Sequence, residues 1–276
     1  SFAGEYDTDK NSEQSEQKSN NEDFDKIEKK LKLYKIIKDR SYYDNKESIA
    51  FYGSYKEYID KWKDEENKKK ITRAEALYSI LKLIGLSDEM VEIYFRCCTY
   101  EIHIVETSLL KCDWERGEYM LDYINVAYLL GLLEPEKARA GDYYLHTLDN
   151  LTIKDCLKMM NGFLISTSSR DVIYDAKANG LLKDNDDFID RADDYLTYED
   201  LCVLLYRMAT SKVYRYINID TTFDLRLFSL NNNNNNITYF DLLDSRYVDK
   251  QYKNLLKSLQ NLRDRYREQL KNMGYK

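Results

Sequence analysis

Asp171–Leu182 reads DVIYDAKANGLL, and Asp122–Leu133 reads DYINVAYLLGLL. Both fit the pattern D-x-I-x-x-A-x-x-x-G-L-L, with matches at Asp122/Asp171, Ile124/Ile173, Ala127/Ala176, Gly131/Gly180, Leu132/Leu181 and Leu133/Leu182. Ile and Ala three residues apart share one face of a helix. The glycine stops that helix, because a residue without Cβ takes the left-handed conformation at little cost. The leucine pair behind it turns back towards the core. Recurrence of a whole helix-and-stop unit points to a repeat architecture.

A second element follows each copy. Leu151-Thr152-Ile153-Lys154-Asp155 begins 20 residues after Gly131, and Leu196-Thr197-Tyr198-Glu199-Asp200 begins 16 after Gly180. Upstream lies a third, Ile71-Thr72-Arg73-Ala74-Glu75. All three read apolar-Thr-x-x-acid, the pattern of a capped helix start. The Thr hydroxyl accepts from one orphan backbone N–H and the acid reaches back to another. Apolar residues then recur at helical spacing, as in Leu201, Leu204, Leu205 and Met208. A degraded copy of the first element is expected over Asp25–Ile36, with Tyr34 in the place of the glycine. Each helix, stop, loop and capped helix has too little apolar surface to fold alone, so the units must share one core.

Composition narrows the function classes. The 276 residues carry 42 Lys+Arg and 49 Asp+Glu, a net charge of −7, which argues against a nucleic-acid binder. Hydrophobic residues make up 43%, enough for a sizeable core, and no run of about 18 apolar residues exists to span a membrane. The 26 Tyr, with abundant Lys, Asn and Ile, read as an AT-rich coding preference rather than as an aromatic platform. Five Cys stand without metal-ligand or disulfide spacing, and Cys156 and Cys202 fall in apolar helical patterns as buried thiols. His103 and His146 have no metal or catalytic partner in sequence, and no phosphate loop is present. Neither an enzyme nor a cofactor or metal site is expected. Asp184, Asp186, Asp187, Asp190, Asp193 and Asp194 fail the calcium-loop template, since Phe188 and Ile189 sit where an acid and the glycine belong.

The chain ends differ in charge. Residues 1–23 are acidic and aperiodic, expected to be a disordered leader of the kind that follows a removed export signal. From Arg246 to Lys276 nine basic residues face three acidic ones, and apolar positions from Val248 to Met273 step by three and four. This is a basic amphipathic helix, suited to docking on its own domain, on a partner or on an anionic surface. The Asn run at 231–236 reads as part of a connector over 214–245.

The combination resembles the S-layer homology family. Its repeats pair two helices through a loop, and the second helix opens with Ile-Thr-Arg-Ala-Glu, the sequence of Ile71–Glu75. Trp114, followed by Asp122–Ala127 and Gly131-Leu132-Leu133, is similar to the family's first helix. The resemblance covers about 24–213, with repeats at about 24–90, 110–165 and 170–213. It implies a mainly α fold of three degenerate repeats in a pseudo-threefold bundle. It also implies non-covalent anchoring of an exported protein at the cell surface through anionic, pyruvylated wall polysaccharide. By the same carry-over Arg73 meets the ligand carboxylate, Thr72 and Glu75 shape its helix start, and Trp114 offers a sugar platform. The second copy has Ile153 at the Arg position, with Lys154 one residue later, and the third has Tyr198 followed by Glu199. Those departures leave an alternative open: a protein-interaction module on the same scaffold that has lost glycan binding. Its contacts would be the acidic stretch 171–200 or the basic helix 246–276.

Overall fold

The computed structural model describes residues 23–45, 69–91, 149–164, 171–219, 225–230 and 236–274, apart from Glu89 and Asp249, with short stretches between 123 and 144. The leader up to residue 22, Trp114 and most of the Asn run lie outside the described residues. Among the described residues the architecture is mostly helical, with two small two-stranded antiparallel sheets. In chain order come α1 (23–33), α2 (Arg40–Asn45), α3 (Arg73–Leu83), β1 (Glu136–Lys137), β2 (Tyr143–Tyr144), α4 (Ile153–Asn161) and α5 (Val172–Ala178). They are followed by α6 (Asp187–Asp190), α7 (Tyr198–Ala209), β3 (Arg215–Ile219), β4 (Leu225–Ser229), α8 (Tyr239–Val248) and α9 (Lys250–Asn272). No helix among the described residues is long and apolar enough to cross a membrane.

The starts of α3, α4, α5 and α7 follow from their caps. Thr72 accepts from the Glu75 N–H while Glu75 accepts from the Thr72 N–H, a reciprocal pair repeated by Thr197 and Asp200. Thr152 caps α4 by accepting from the Asp155 N–H, and Asp171 caps α5 by accepting from the N–H groups of Ile173 and Tyr174. The stops are equally local. Gly131 and Gly180 hold φ of 73° and 81°, and the N–H of the next leucine reaches five residues back, Leu132 to Ala127 and Leu181 to Ala176. That six-to-one bond satisfies a carbonyl the helix end would otherwise leave open.

Three capped starts meet at one point. The Ile71 N–H donates to the Leu196 carbonyl (2.9 Å), the Leu196 N–H to the Leu151 carbonyl (2.8 Å) and the Leu151 N–H to the Ile71 carbonyl (2.9 Å). Each of these residues precedes a capping threonine, gives one bond and takes one, so the ring is closed. All three side chains are fully buried, each worth about 1.5–3 kcal/mol of burial. The next residues extend the contact: the Arg73 N–H donates to the Asp149 carbonyl and the Ile153 N–H to the Asp194 carbonyl, both at 3.0 Å. Helix-start N–H groups that no intrahelical carbonyl can reach are thereby satisfied by a neighbouring segment. Around this point α3 packs on α4 and α7, and α4 packs on α5.

Two sequence expectations are corrected. The stop of α1 falls at Lys35, not Tyr34: Lys35 has φ 57°, and the Ile36 N–H bonds the Leu31 carbonyl at 2.9 Å. Counting from Asp25 put the stop one residue early, because a lysine hides a left-handed position that glycine would announce. The stretch 214–245, expected as a connector, carries the β3–β4 hairpin, paired from Arg215↔Ser229 to Ile219↔Leu225, and the start of α8. It is part of the core. The Ile217 N–H donates to the Ile84 carbonyl at 2.8 Å, and Tyr239 is fully buried with its hydroxyl donating to the Arg215 carbonyl at 2.8 Å. The α8 start, Ile237-Thr238-Tyr239-Phe240-Asp241, is a fourth capped start, with Thr238 and Asp241 bonding reciprocally at 3.2 and 3.0 Å. Tyrosines also serve the core more than codon preference implies, since Tyr43, Tyr123 and Tyr239 are among the largest fully buried side chains.

Two stability measurements test these assignments. Thr197→Ala should lower the unfolding free energy by about 1 kcal/mol in urea titration, because one helix-start N–H loses its acceptor; an unchanged midpoint would remove the cap from the account. Lys35→Gly should raise it by about 0.5–1 kcal/mol by relieving left-handed strain; a loss of stability would show that Lys35 carries no strain.

Candidate functional site

Three capped helices leave the ring, and their first residues are Arg73, Ile153 and Tyr198. Arg73 reaches across to α4. Its Nη2 lies 4.0 Å from Asp155 Oδ2, its Nη1 lies 3.9 Å from Met159 Sδ, and its side chain is 31% exposed. The Arg73 Nε is buried with no hydrogen-bond partner among the described residues. The guanidinium is therefore held by a long, weak contact and keeps unused donor capacity. Thr72 and Glu75 are buried and bond each other, so they position Arg73 and do not face solvent. Ile153 is fully buried and puts no charge in its position. Lys154 is exposed beside Asp155, on the helix Arg73 reaches.

The third position opens a pocket of about 570 Å³, lined by Arg40, Asp44, Lys69, Lys70, Thr197, Tyr198 and Glu199. The first residue of α7, Tyr198, is uncharged, and the cation beside it comes from elsewhere in the chain. Arg40, at the start of α2, sets its guanidinium carbon 5.2 Å from the Tyr198 ring centroid and pairs with Glu199. Such stacking holds a guanidinium in place without consuming its N–H donors. The Tyr198 hydroxyl donates to Glu28 Oε2 at 2.6 Å. Burial, then that bond, pushes the phenol well above its usual range, so the ring stays neutral. Beneath it burial pushes the Cys202 thiol up to about 12, leaving it protonated and unreactive. Three cations stand against two carboxylates in this lining, a net excess of one positive charge at the N-terminus of a 12-residue helix.

A second polar cluster is closed. Lys82 bonds the Tyr78 hydroxyl at 2.9 Å and lies 3.5 Å from Asp88, which accepts from the Tyr123 hydroxyl at 2.7 Å. The acidic stretch is also largely spent inside the chain. Asp186 takes two bonds from Arg207 (2.8 and 2.9 Å), Asp200 takes two from Arg191 (3.2 and 3.0 Å), Asp187 pairs with Arg191 and Asp184 with Lys177. Asp175 is buried. Asp190, Asp193 and Asp194 remain exposed. Among the described residues no cluster of His, Cys, Asp or Glu could hold a metal ion.

Sequence reasoning singled out Arg73 and did not name Arg40, Lys69 or Lys70, which line the pocket. The third capped start showed only Tyr198 where the first has Arg73. Nothing local marks Arg40, 159 residues from Glu199, as its substitute. No protein-family model matches the chain, and no curated protein and no solved structure matches it either.

Asp186 carries a pH prediction. Burial raises its affinity for a proton, but the Arg207 bonds and the Lys183 backbone N–H together outweigh burial and hold the carboxyl below the usual carboxylate range. A group with a depressed folded pKa contributes stability above its unfolded value, about 3.9, and loses it as pH falls through the folded value. Wild type should therefore lose stability below about pH 4, and Asp186→Asn should be less stable at pH 7 with a shallower acid limb in urea titrations. An acid limb identical in the two proteins would overturn the assignment.

Proposed function

We propose that the chain is an S-layer-homology-like module that binds anionic, pyruvylated wall polysaccharide and anchors an exported protein at the cell surface. One observation carries the reading: the pocket at the start of α7, whose lining brings together Arg40, Lys69 and Lys70. A planar guanidinium, about half exposed and flanked by lysines in the pocket lining, suits a sugar that bears a carboxylate, the guanidinium taking the two oxygens. The closed bond ring of Ile71, Leu151 and Leu196 supports a three-repeat, pseudo-threefold arrangement, and with it the family resemblance drawn from Ile71–Glu75. Arg73, with its buried unpartnered Nε, is the second contact point in this reading.

A second reading, a protein-interaction module on the same scaffold, is favoured by the buried Ile153, which puts no charge at one of the three helix starts. The two readings separate on the full chain with purified pyruvylated polysaccharide. Under the first, binding is measurable by calorimetry, Arg40→Ala weakens it by about tenfold or more, the loss of a charge-assisted contact, and Arg73→Ala weakens it independently. Absence of binding by the unaltered chain would discard the first reading and leave the interaction module.

A further inference from the structure

We infer that Glu199 is an internal competitor for the pocket's ligand, a carboxylate of the chain itself that occupies Arg40 when the pocket is empty and sets its affinity and selectivity. The inference rests on the anion-binding reading above. Arg40 and Glu199 are far apart in sequence, belong to different helices, pair with each other and both line the pocket. Both are about half exposed, 51% and 47% of each side chain, so the pair is solvated and easily exchanged for another carboxylate.

Arg40 does not depend on Glu199 for its place. Its guanidinium is stacked on the Tyr198 ring, and that ring is fixed by burial and by the Glu28 bond. Losing Glu199 therefore leaves Arg40 ready to receive an anion. Glu199 is also the second residue of α7, inside its first turn, where the helix end attracts negative charge. It thus holds the ground on which an incoming carboxylate would settle. A ligand group that is neutral cannot displace it, whereas one with a fixed negative charge exchanges for it on equal terms. The device lowers the pocket's affinity for a charged sugar and leaves that for an uncharged one unaltered, so it narrows the preference between them by competition rather than by a lost contact.

Glu199→Gln tests this in the full chain. The variant should bind pyruvylated polysaccharide about fivefold tighter than wild type, the weight of a solvated ion pair removed from competition. Binding of the same polysaccharide stripped of its pyruvate groups should stay as in wild type. The gain should vanish when Arg40→Ala is added, because no guanidinium is then left to release. Thermal unfolding of the single variant should stay close to wild type, since a half-exposed side chain is exchanged for its isostere. If wild type binds and Glu199→Gln binds equally or more weakly, the competitor role is overturned while the anion-binding reading stands. If tighter binding persists without Arg40, the competition does not run through Arg40 and the inference is likewise overturned. If neither protein binds, the anion-binding reading falls and takes the inference with it.

Discussion

The closed ring of backbone hydrogen bonds through Ile71, Leu151 and Leu196 is the constraint from which the rest of the structure follows. It joins segments 80 and 45 residues apart, each immediately before a threonine cap. A buried peptide N–H without an acceptor is expensive, so each segment can enter the core only if the other two are present. None of the units has apolar surface enough to supply that alone. The ring converts three weak pieces into one cooperative centre, and the packing of α3, α4 and α7 around it follows from the direction in which each cap launches its helix.

The same constraint generates the site. A helix that starts at the ring places its first residue against the neighbouring unit, so Arg73, Ile153 and Tyr198 occupy comparable seams with different chemistry. Arg73 leans on Asp155 and Met159 across one seam. Ile153 is buried in another. At the third, Tyr198 is a flat neutral surface on which Arg40 rests, and the pocket forms around the pair. The charge beside the uncharged start of α7 comes from α2, a helix distant in sequence.

Charge elsewhere is mostly structural. The acidic stretch 171–200 looks like an interaction surface when read as a line of letters. In space Asp186 and Asp200 receive paired bonds from Arg207 and Arg191, and Asp171 caps α5. What a run of carboxylates does depends on which arginines fold back to it, and those arginines sit on α7 and on the loop before it.

Local physics was readable directly. A threonine with an acid three residues on, and a glycine before a leucine pair, act through bonds that span five residues or fewer, so the caps at Thr72, Thr152 and Thr197 and the stops at Gly131 and Gly180 are legible in the chain itself. The start at Ile237–Asp241 carried the same signal as Leu196–Asp200 and was readable too, although the neighbouring Asn run drew it into a connector. Lys35 was not, because a left-handed residue with a side chain leaves no mark in sequence. Nor was the ring, the hairpin docking on Ile84, or the meeting of Arg40 with Tyr198 and Glu199. Those depend on which distant segments satisfy one another's buried polar groups, and only the folded chain, with all its buried peptide bonds to pair at once, decides that.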